Sequence, residues 1–213
     1  MKIVSVHVAK PKTFTMEDGE EFQTSIFKEK TEGRVWARGN AIDGDESADK
    51  EWHGGETKAV YSYACEHYPY WMKELEKTDL PFGMFGENLT TEGLDESSVC
   101  LGDRFRMGEA LLEALTPRIP CEMLGFRFKD QTIVKRFLQS GRSGIYYRIV
   151  EEGPLAAGDT ISLEKKRGDT VKISEIAAVY ADPQADKKRV RDISELPDLP
   201  ADYRAYLQKR LGE

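Results

Sequence analysis

Cysteine, basic charge and long apolar runs are all scarce in this sequence, and each scarcity excludes a class of protein. The only cysteines among 213 residues are Cys65, Cys100 and Cys121, too few and too widely spaced for a disulfide framework or a C-x-x-C metal motif. The net charge of -7 argues against general nucleic-acid binding. No apolar run approaches the roughly 20 residues of a membrane span, and Met1–Lys10 alternates like a strand rather than a signal peptide. We expect a cytoplasmic protein without a membrane or nucleic-acid partner.

Short strands are predicted over most of the chain. Period-2 alternation with β-branched and aromatic residues marks five stretches: KIVSVHV, GRVWARG, KAVYSYA, GIYYRIVEEG and DTISLEKK. Similar Gly-Asp turns at Leu101–Asp103 and Ala157–Asp159 each introduce a strand, which favours a closed or nearly closed β structure. GEALLEALT, residues 108–116, could be helix by composition, but its place between a turn and a proline favours a strand. A mainly β fold, a β-barrel with a few covering helices, is the expectation.

Helices are predicted at Glu66–Lys77, at Gln131–Ser140 and in the C-terminal region. After Gly168, three short amphipathic stretches are separated by prolines. We therefore expect two domains, a β domain over residues 1–168 and a three-helix domain over residues 169–213. Residues 170–213 hold eight Lys or Arg and eight Asp or Glu, so a DNA-reading helix-turn-helix is disfavoured. The apolar residues of these helices need a cover, either the β domain or the second subunit of a homodimer: Ile176, Val179, Tyr203, Tyr206 and Leu207.

Two glycine-containing stretches are candidates for binding an anion. In WHGGETKAV, residues 52–60, Gly54 and Gly55 allow backbone N–H groups to approach an anion, with His53 and Lys58 as flanking donors. The alternative is a Gly-Gly hairpin with a surface histidine. In FGMFGENLTTEGL, residues 82–94, Asn88 and neighbouring threonines could contact a phosphate or a heterocycle edge. The alternative is a surface loop that satisfies its own backbone.

The third candidate is the cysteine in TPRIPCEML, residues 116–124. Pro117 and Pro120 restrict the backbone around Cys121, so its sulfur is held rigidly. Arg118, together with Arg142 of SGRSGIYYRIV, could lower the pKa of the Cys121 thiol if both arginines converge on it. The alternatives are a cysteine that fills space as a small buried hydrophobe and an arginine with a purely structural role.

These four stretches, in this order, resemble the MOSC-domain family (molybdenum cofactor sulfurase C-terminal domain) in its YiiM-like branch. The matching text is GDESADKEWHGGETKAVYSYACEHY, FGENLTTEGLDE, GDRFRMGEALLEALTPRIPCEML and GRSGIYYRIVEEGPLAAGD. It covers most of residues 40–160, and the three C-terminal helices resemble the small domain that marks this branch.

The resemblance implies a β-barrel that binds a molybdopterin-type molybdenum cofactor. Cys121 would be the catalytic residue and the protein ligand of the molybdenum, as suits a soft thiolate. The other residues implied in cofactor binding are His53, Gly54, Gly55, Lys58, Asn88, Thr91, Arg118 and Arg142, with Arg38 as a further phosphate contact. Pyridoxal phosphate binding is not expected.

The resemblance also implies an activity, the reduction of N-hydroxylated compounds such as 6-hydroxylaminopurine to amines. The chain lacks cysteines for an iron–sulfur domain, so electrons would come from a separate reductase protein. The proton donor stays open among Glu122, Tyr147 and Asp45. Two alternatives are a non-catalytic module that binds the cofactor or carries sulfur, and a hydrolase with Cys121 as nucleophile and His53 as base.

Overall fold

The computed structural model describes residues 1–15, 19–49, 54–168 and 170–212. The strands in this part of the chain are β1 Lys2–Val8, β2 Lys12–Thr15, β3 Glu21–Thr24, β4 Glu29–Lys30, β5 Val35–Arg38, β6 Ala41–Ile42, β7 Val60–Ala64, β8 Leu89–Glu92, β9 Arg104–Met107, β10 Ala110–Pro117, β11 Ile145–Glu151, β12 Gly153–Leu155 and β13 Ile161–Lys165. The α-helices are α1 Tyr68–Glu74, α2 Glu122–Phe128, α3 Thr132–Ser140, α4 Ile173–Ala181, α5 Lys187–Ser194 and α6 Ala201–Leu211. The predicted mainly β fold with helices is confirmed.

An eight-stranded mixed sheet forms the centre of the molecule. Its order is β13-β9-β10-β11-β7-β8-β1-β4, and a three-stranded sheet and a two-stranded sheet accompany it. Only the β7–β8 pair is parallel among the described ladders. Strand β1 also contacts the residues just before β13. Lys2 forms an isolated β-bridge with Thr160, and Ile3 N donates to Asp159 O at 2.9 Å. Within the described residues no continuous ladder closes the sheet, so the expected closed barrel is not found.

Strand β10 shows why the stretch GEALLEALT is extended. Every residue of Ala110–Pro117 is buried, and the strand is paired on both sides, with β9 and β11. A strand covered on both faces has no alternation for a sequence pattern to reveal. Pro117 is the last residue of the strand, and it begins the stiff segment that leads to Cys121.

The three C-terminal helices pack in the same hydrophobic core as the large sheet. Ile176, Val179, Tyr203 and Leu207 are each at most 7% exposed in this core, whereas Tyr206 is 37% exposed. The chain itself therefore covers most of the apolar set that suggested a second subunit. The homodimer and the division at residue 168 stay predictions.

A second cluster of buried residues, rich in aromatic side chains, lies under α1 and α3. Trp71 and Phe137 stack with ring centroids 5.9 Å apart, and Trp71 Nε1 donates to the Tyr63 hydroxyl at 2.6 Å. Near this cluster, the rings of Phe14 and Phe22 in the β2–β3 hairpin both pack edge-to-face against Phe126 of α2. This hairpin, which the sequence patterns do not predict, forms one side of the cavity described below. Among the described helices none is long and apolar enough to span a membrane.

Candidate functional site

A cavity of about 630 Å³ lies where β3, the segment after β10 and the C-terminal helices meet. Its size falls within the range of small-molecule sites. Its lining has two parts, which we call the charged wall and the helical wall. The charged wall consists of Lys28, Asp45, Lys58, Asn88, Arg118 and Cys121. The helical wall consists of Tyr180, Asp202, Tyr203 and Tyr206.

Cys121 enters the cavity from the segment that joins β10 to α2. It precedes the first residue of α2 in an extended conformation, with φ -117° and ψ 176°, and its carbonyl accepts a hydrogen bond from Leu124 N at 3.0 Å. It is half-buried, as are Ile119 and Pro120 beside it, which also line the cavity. The backbone therefore presents the thiol at a fixed place on the cavity surface.

The other two cysteines lie in different surroundings. Burial, followed by the charge of Glu66, raises the pKa of the Cys65 thiol to about 11. Burial and the nearby Asp103 carboxylate raise the pKa of Cys100. Neither lines the cavity, and no disulfide joins the three. A thiolate is therefore disfavoured at Cys65 and Cys100.

Arg118 brings a buried positive charge next to Cys121. The residue is 6% exposed, its guanidinium donates to the Phe85 carbonyl and it lies 5.0 Å from the centroid of the Tyr61 ring. Burial opposes the charged form, but the charges of Tyr146, Tyr61 and Cys121 favour it and raise the pKa of Arg118. Its Nε is buried without a hydrogen-bond partner among the described residues. An arginine with an unused buried donor at a cavity wall is suited to an anionic group.

The loop ahead of β8 holds the Phe85 carbonyl that receives Arg118. Glu87 is fully buried and accepts hydrogen bonds from Gly83 N at 2.8 Å, Phe85 N at 3.1 Å and Thr90 Oγ1 at 3.0 Å. Burial raises the pKa of Glu87, and the hydrogen bonds from Tyr68, Gly83 and Thr90 act against the rise. The carboxylate thus fixes the loop around itself, and the loop fixes Arg118.

Glycine is required next to this contact. Gly86 has φ of 74° and lines the cavity, and a Cβ there would lie 3.0 Å from the Ile26 side chain and 3.3 Å from Arg118. The left-handed conformation and these short distances both disfavour a larger residue. The glycine thus lets the loop pack directly against Ile26 and Arg118.

Asp45 and Lys28 form an ion pair across the cavity wall. Their side chains are 11% and 9% exposed, and Lys28 Nζ lies 2.5 Å from Asp45 Oδ1. Asp45 also accepts from Asn88 Nδ2 and from Ala9 N, both at 2.8 Å. Burial lowers the pKa of Lys28, and Asp45 acts against this effect. The pair places an exchangeable proton at the cavity.

Asn88 holds three segments together. Its Oδ1 accepts from Tyr61 N at 3.0 Å, and its Nδ2 donates to His7 O at 3.3 Å as well as to Asp45. Its side chain is thus committed to β1, β7 and the Asp45 segment. The backbone groups that Asn88 binds belong to distant strands, whereas Glu87 and Thr91 bind backbone groups of the stretch itself, as the alternative proposed.

Adjacent strand positions send two tyrosines to opposite faces of β11. Tyr146 lines the cavity, with its ring centroid 5.0 Å from that of Tyr61. Tyr147 is fully buried in the core, where Ser62 Oγ donates to its hydroxyl at 3.2 Å. Of the three predicted proton-donor candidates, Asp45 and Glu122 line the cavity, and Tyr147 does not.

The helical wall is joined to the charged wall at two points. Lys58 Nζ donates to Asp202 Oδ2 at 2.6 Å, which links the 3₁₀ helix Glu56–Lys58 to α6. The Tyr203 hydroxyl donates to the Pro117 carbonyl, directly ahead of Arg118. The C-terminal helices therefore complete the cavity.

The structure brings four of the predicted site residues to this cavity: Lys58, Asn88, Arg118 and Cys121. Gly54 and Gly55 precede the 3₁₀ helix and are not part of the described lining. His53 lies outside the described residues.

Three predicted residues lie elsewhere. Thr91 is fully buried in β8 and donates to the Leu94 carbonyl at 3.2 Å. Arg142 lies 3.7 Å from the centroid of the Tyr70 ring and donates to the Ser140 carbonyl at 3.0 Å. Arg38 pairs with Asp43 at 2.7 Å with over half of its side chain exposed. Their predicted roles in binding a cofactor gain no support from these positions.

Sequence reasoning did not select Lys28 or the tyrosines Tyr61, Tyr146, Tyr180 and Tyr206 as site residues. Lys28 lies in the irregular FKEK segment, where a charged residue is usually solvated, and no local pattern distinguishes it. The YYR strand offered a weak signal for Tyr146, because consecutive strand residues point to opposite faces, so that at most one of Tyr146 and Tyr147 faces a pocket.

The donor set fits a molybdenum cofactor better than a bare metal ion. Within the described residues no group of three or more His, Cys, Asp and Glu side chains could hold a metal. One thiol beside an arginine with an unused buried donor instead suits a metal that brings its own anionic organic ligand. Cys121 would then supply the protein ligand, and Arg118 would contact the anionic part of the cofactor.

Comparisons with known proteins identify a domain family and several relatives. Residues 49–162 match the MOSC domain model. The chain is 38% identical to the uncharacterized protein YflK of Bacillus subtilis over 76% of this chain and 72% of that protein. It is 33% identical to protein YiiM of Escherichia coli over 88% of this chain and 84% of the other.

A protein of Gibberella moniliformis named as a reductase is 39% identical over 68% of this chain, a match that spans 26% of that longer protein. Among solved structures, YiiM from Geobacillus stearothermophilus superposes with a TM-score of 0.81 at 32% identity, covering 99% of this chain and 98% of the other. YiiM from Escherichia coli superposes with a TM-score of 0.77 at 26% identity, covering 100% and 94%. The extent of the domain match and the near-complete coverage of the YiiM proteins show that this chain belongs to the MOSC-domain family, in its YiiM-like branch.

Proposed function

We propose that this protein is a molybdenum-cofactor-dependent reductase of N-hydroxylated compounds, such as 6-hydroxylaminopurine, to the corresponding amines. The observation that carries the proposal is the pairing of Cys121 with buried Arg118 on the wall of one cavity of about 630 Å³. The reductase-named relative supports a redox role for the domain.

Each residue of the charged wall would have its own role in binding the cofactor. Cys121 Sγ would be the protein ligand of the metal, and the Arg118 guanidinium would donate to an anionic oxygen of the cofactor. Lys28 and Lys58 add positive charge to the lining. When bound, the cofactor supplies the two-electron chemistry that removes oxygen from nitrogen.

The overall reaction balances as an N-hydroxylated compound plus two electrons and two protons, giving the amine and water. The nitrogen is reduced, and a separate reductase protein would be oxidised as the electron source. Lys28 Nζ is suited to hold one transferable proton, because burial lowers its pKa at a point where it also contacts Asp45. The half-buried Tyr146 and the exposed Glu122 also line the space that a substrate would enter.

The test is reduction of 6-hydroxylaminopurine to adenine, followed by chromatography, with protein from a host that makes the cofactor and a chemical electron donor in excess. We expect turnover by the wild type and by Cys100→Ser, whose thiol lies away from the cavity, and none by Cys121→Ser. Unchanged turnover in Cys121→Ser would overturn the proposed role of this thiol. Cofactor binding by the wild type without turnover of any N-hydroxylated compound would favour a binding or sulfur-carrier module instead.

A further inference from the structure

Two tyrosines of the helical wall form a stacked pair at the cavity. The rings of Tyr180 in α4 and Tyr206 in α6 have centroids 4.1 Å apart and an interplanar angle of 16°. Both line the cavity, and Tyr206 is 37% exposed. A large aromatic side chain on a cavity wall that keeps this much exposed surface offers an area that a ligand can cover.

Contacts between α4 and α6 hold the tyrosine pair in place without a ligand. Arg210 donates to the carbonyls of Val179 at 2.5 Å and Asp182 at 2.6 Å, which fastens the end of α6 to the end of α4. Tyr203, one helical turn ahead of Tyr206, is buried and donates to the Pro117 carbonyl. The orientation of the Tyr206 ring is therefore set before any ligand binds, which lowers the entropy lost on binding.

The chemistry of the cavity differs from one wall to the other. The charged wall suits anionic groups, whereas the helical wall offers aromatic surface together with the carboxylate of Asp202. Nearby, Ser47 and Asp49 also line the cavity. A heterocyclic base satisfies both features at once, because its faces stack on aromatic rings while its exocyclic N–H groups donate to carboxylate or hydroxyl oxygens.

We propose that Tyr206, backed by Tyr180, is the stacking platform for the heterocyclic ring of the substrate. The C-terminal helices would then determine a preference for aromatic over aliphatic N-hydroxylated compounds. This inference rests on the proposed function for its substrate class, but the binding of a planar base can be measured without turnover.

The test measures adenine, the amine expected from 6-hydroxylaminopurine, binding to cofactor-loaded protein by isothermal titration calorimetry. Tyr206→Leu and Tyr206→Gln both remove the ring, and Tyr206→Phe keeps it. Trp36→Leu removes another exposed aromatic side chain, one that lies outside the cavity. We expect the ring-removing variants to weaken adenine binding roughly tenfold, and Tyr206→Phe and Trp36→Leu to bind as the wild type does. Thermal unfolding of each variant verifies that it is folded.

Steady-state kinetics supply the second measurement. With 6-hydroxylaminopurine, the ring-removing variants should raise KM more than they lower kcat, and with the aliphatic acetamidoxime both constants should be unchanged. Adenine binding that is unchanged in both variants, or absent from the wild type, would overturn the inference. If 6-hydroxylaminopurine is turned over equally well without the Tyr206 ring, the platform fails while the proposed function stands. If adenine binding depends on the ring but nothing is reduced, the platform stands and the proposed function fails.

Discussion

The two walls of the cavity differ in how their side chains are held. On the charged wall, Lys28, Asp45 and Arg118 are nearly buried, and fixed hydrogen bonds hold them. On the helical wall, Tyr206 is 37% exposed, and the Asp202 side chain is 40% exposed. Buried charges are costly to leave unpaired, whereas half-exposed side chains can change at little cost. The charged wall should therefore be fixed in composition, and the helical wall is the part that can vary with the substrate.

The largest effect is expected from breaking the ion pair of the charged wall. Asp45→Ala leaves Lys28 buried without its carboxylate and removes acceptors from Asn88 and Ala9, so we expect the free energy of unfolding to fall by about 4 kcal/mol. The control is Glu29→Ala, which breaks the Lys12–Glu29 pair of similar length, 2.6 Å, on the exposed surface. It should have no measurable effect. Equal urea midpoints for the two variants would contradict the comparison.

Glu87→Leu should have the next largest effect. The variant leaves the N–H groups of Gly83 and Phe85 without the carboxylate that binds them, at an expected cost of about 3 to 4 kcal/mol. Glu32→Leu, at a side chain 90% exposed, is the control in the same urea titration. A loss no larger than that of Glu32→Leu would show that the loop does not depend on Glu87.

A pH dependence should come from the strand behind the charged wall. His7 in β1 is 2% exposed, and burial, with smaller effects of Lys28 and Lys30, lowers its pKa from 6.5 to about 4. The unfolded chain takes up this proton below pH 6.5 and the folded chain only near pH 4, so the contribution to stability is present above pH 6.5 and declines as the pH falls.

The expected decline corresponds to about 3 kcal/mol. It is measured as the difference in free energy of unfolding between the wild type and His7→Leu across this pH range. The wild-type curve should fall more steeply on acidification than the curve of His7→Leu. Parallel curves would mean that His7 titrates alike in both states.

The smallest effect is expected where the two walls meet. Lys58 and Asp202 form an ion pair of 2.6 Å with side chains 11% and 40% exposed. Because Asp202 is open to solvent and salt, a double-mutant cycle of Lys58→Met and Asp202→Asn should give a coupling energy of about 1 kcal/mol or less. A coupling as large as the loss in Asp45→Ala would remove the distinction between the walls.

Local patterns predicted most of the fold. Alternation identified β1, β7, β11 and β13, and the prolines and glycines bounded the C-terminal helices. The sequence patterns predict no strand at β8, because most of its residues are buried where it inserts parallel to β7 and show no alternation. Such an insertion depends on contacts between distant segments, which a local pattern does not contain.

The candidate site was only partly accessible to the same reasoning. The prolines around Cys121 and the nearby Arg118 gave a local reason to select both residues. Lys28, Tyr180 and Tyr206 reach the cavity through tertiary packing alone. The fully buried position of Thr91 and the stacking of Arg142 on Tyr70 likewise depend on neighbours far along the chain.

The most direct measurement is molybdenum per polypeptide by mass spectrometry, for the wild type, Cys121→Ser and Cys100→Ser, each produced with molybdate in a host that makes the cofactor. The account predicts near-stoichiometric molybdenum in the wild type and in Cys100→Ser, and its loss in Cys121→Ser. Molybdenum retained in Cys121→Ser, or absent from the wild type, would contradict the claim that this thiol holds the metal.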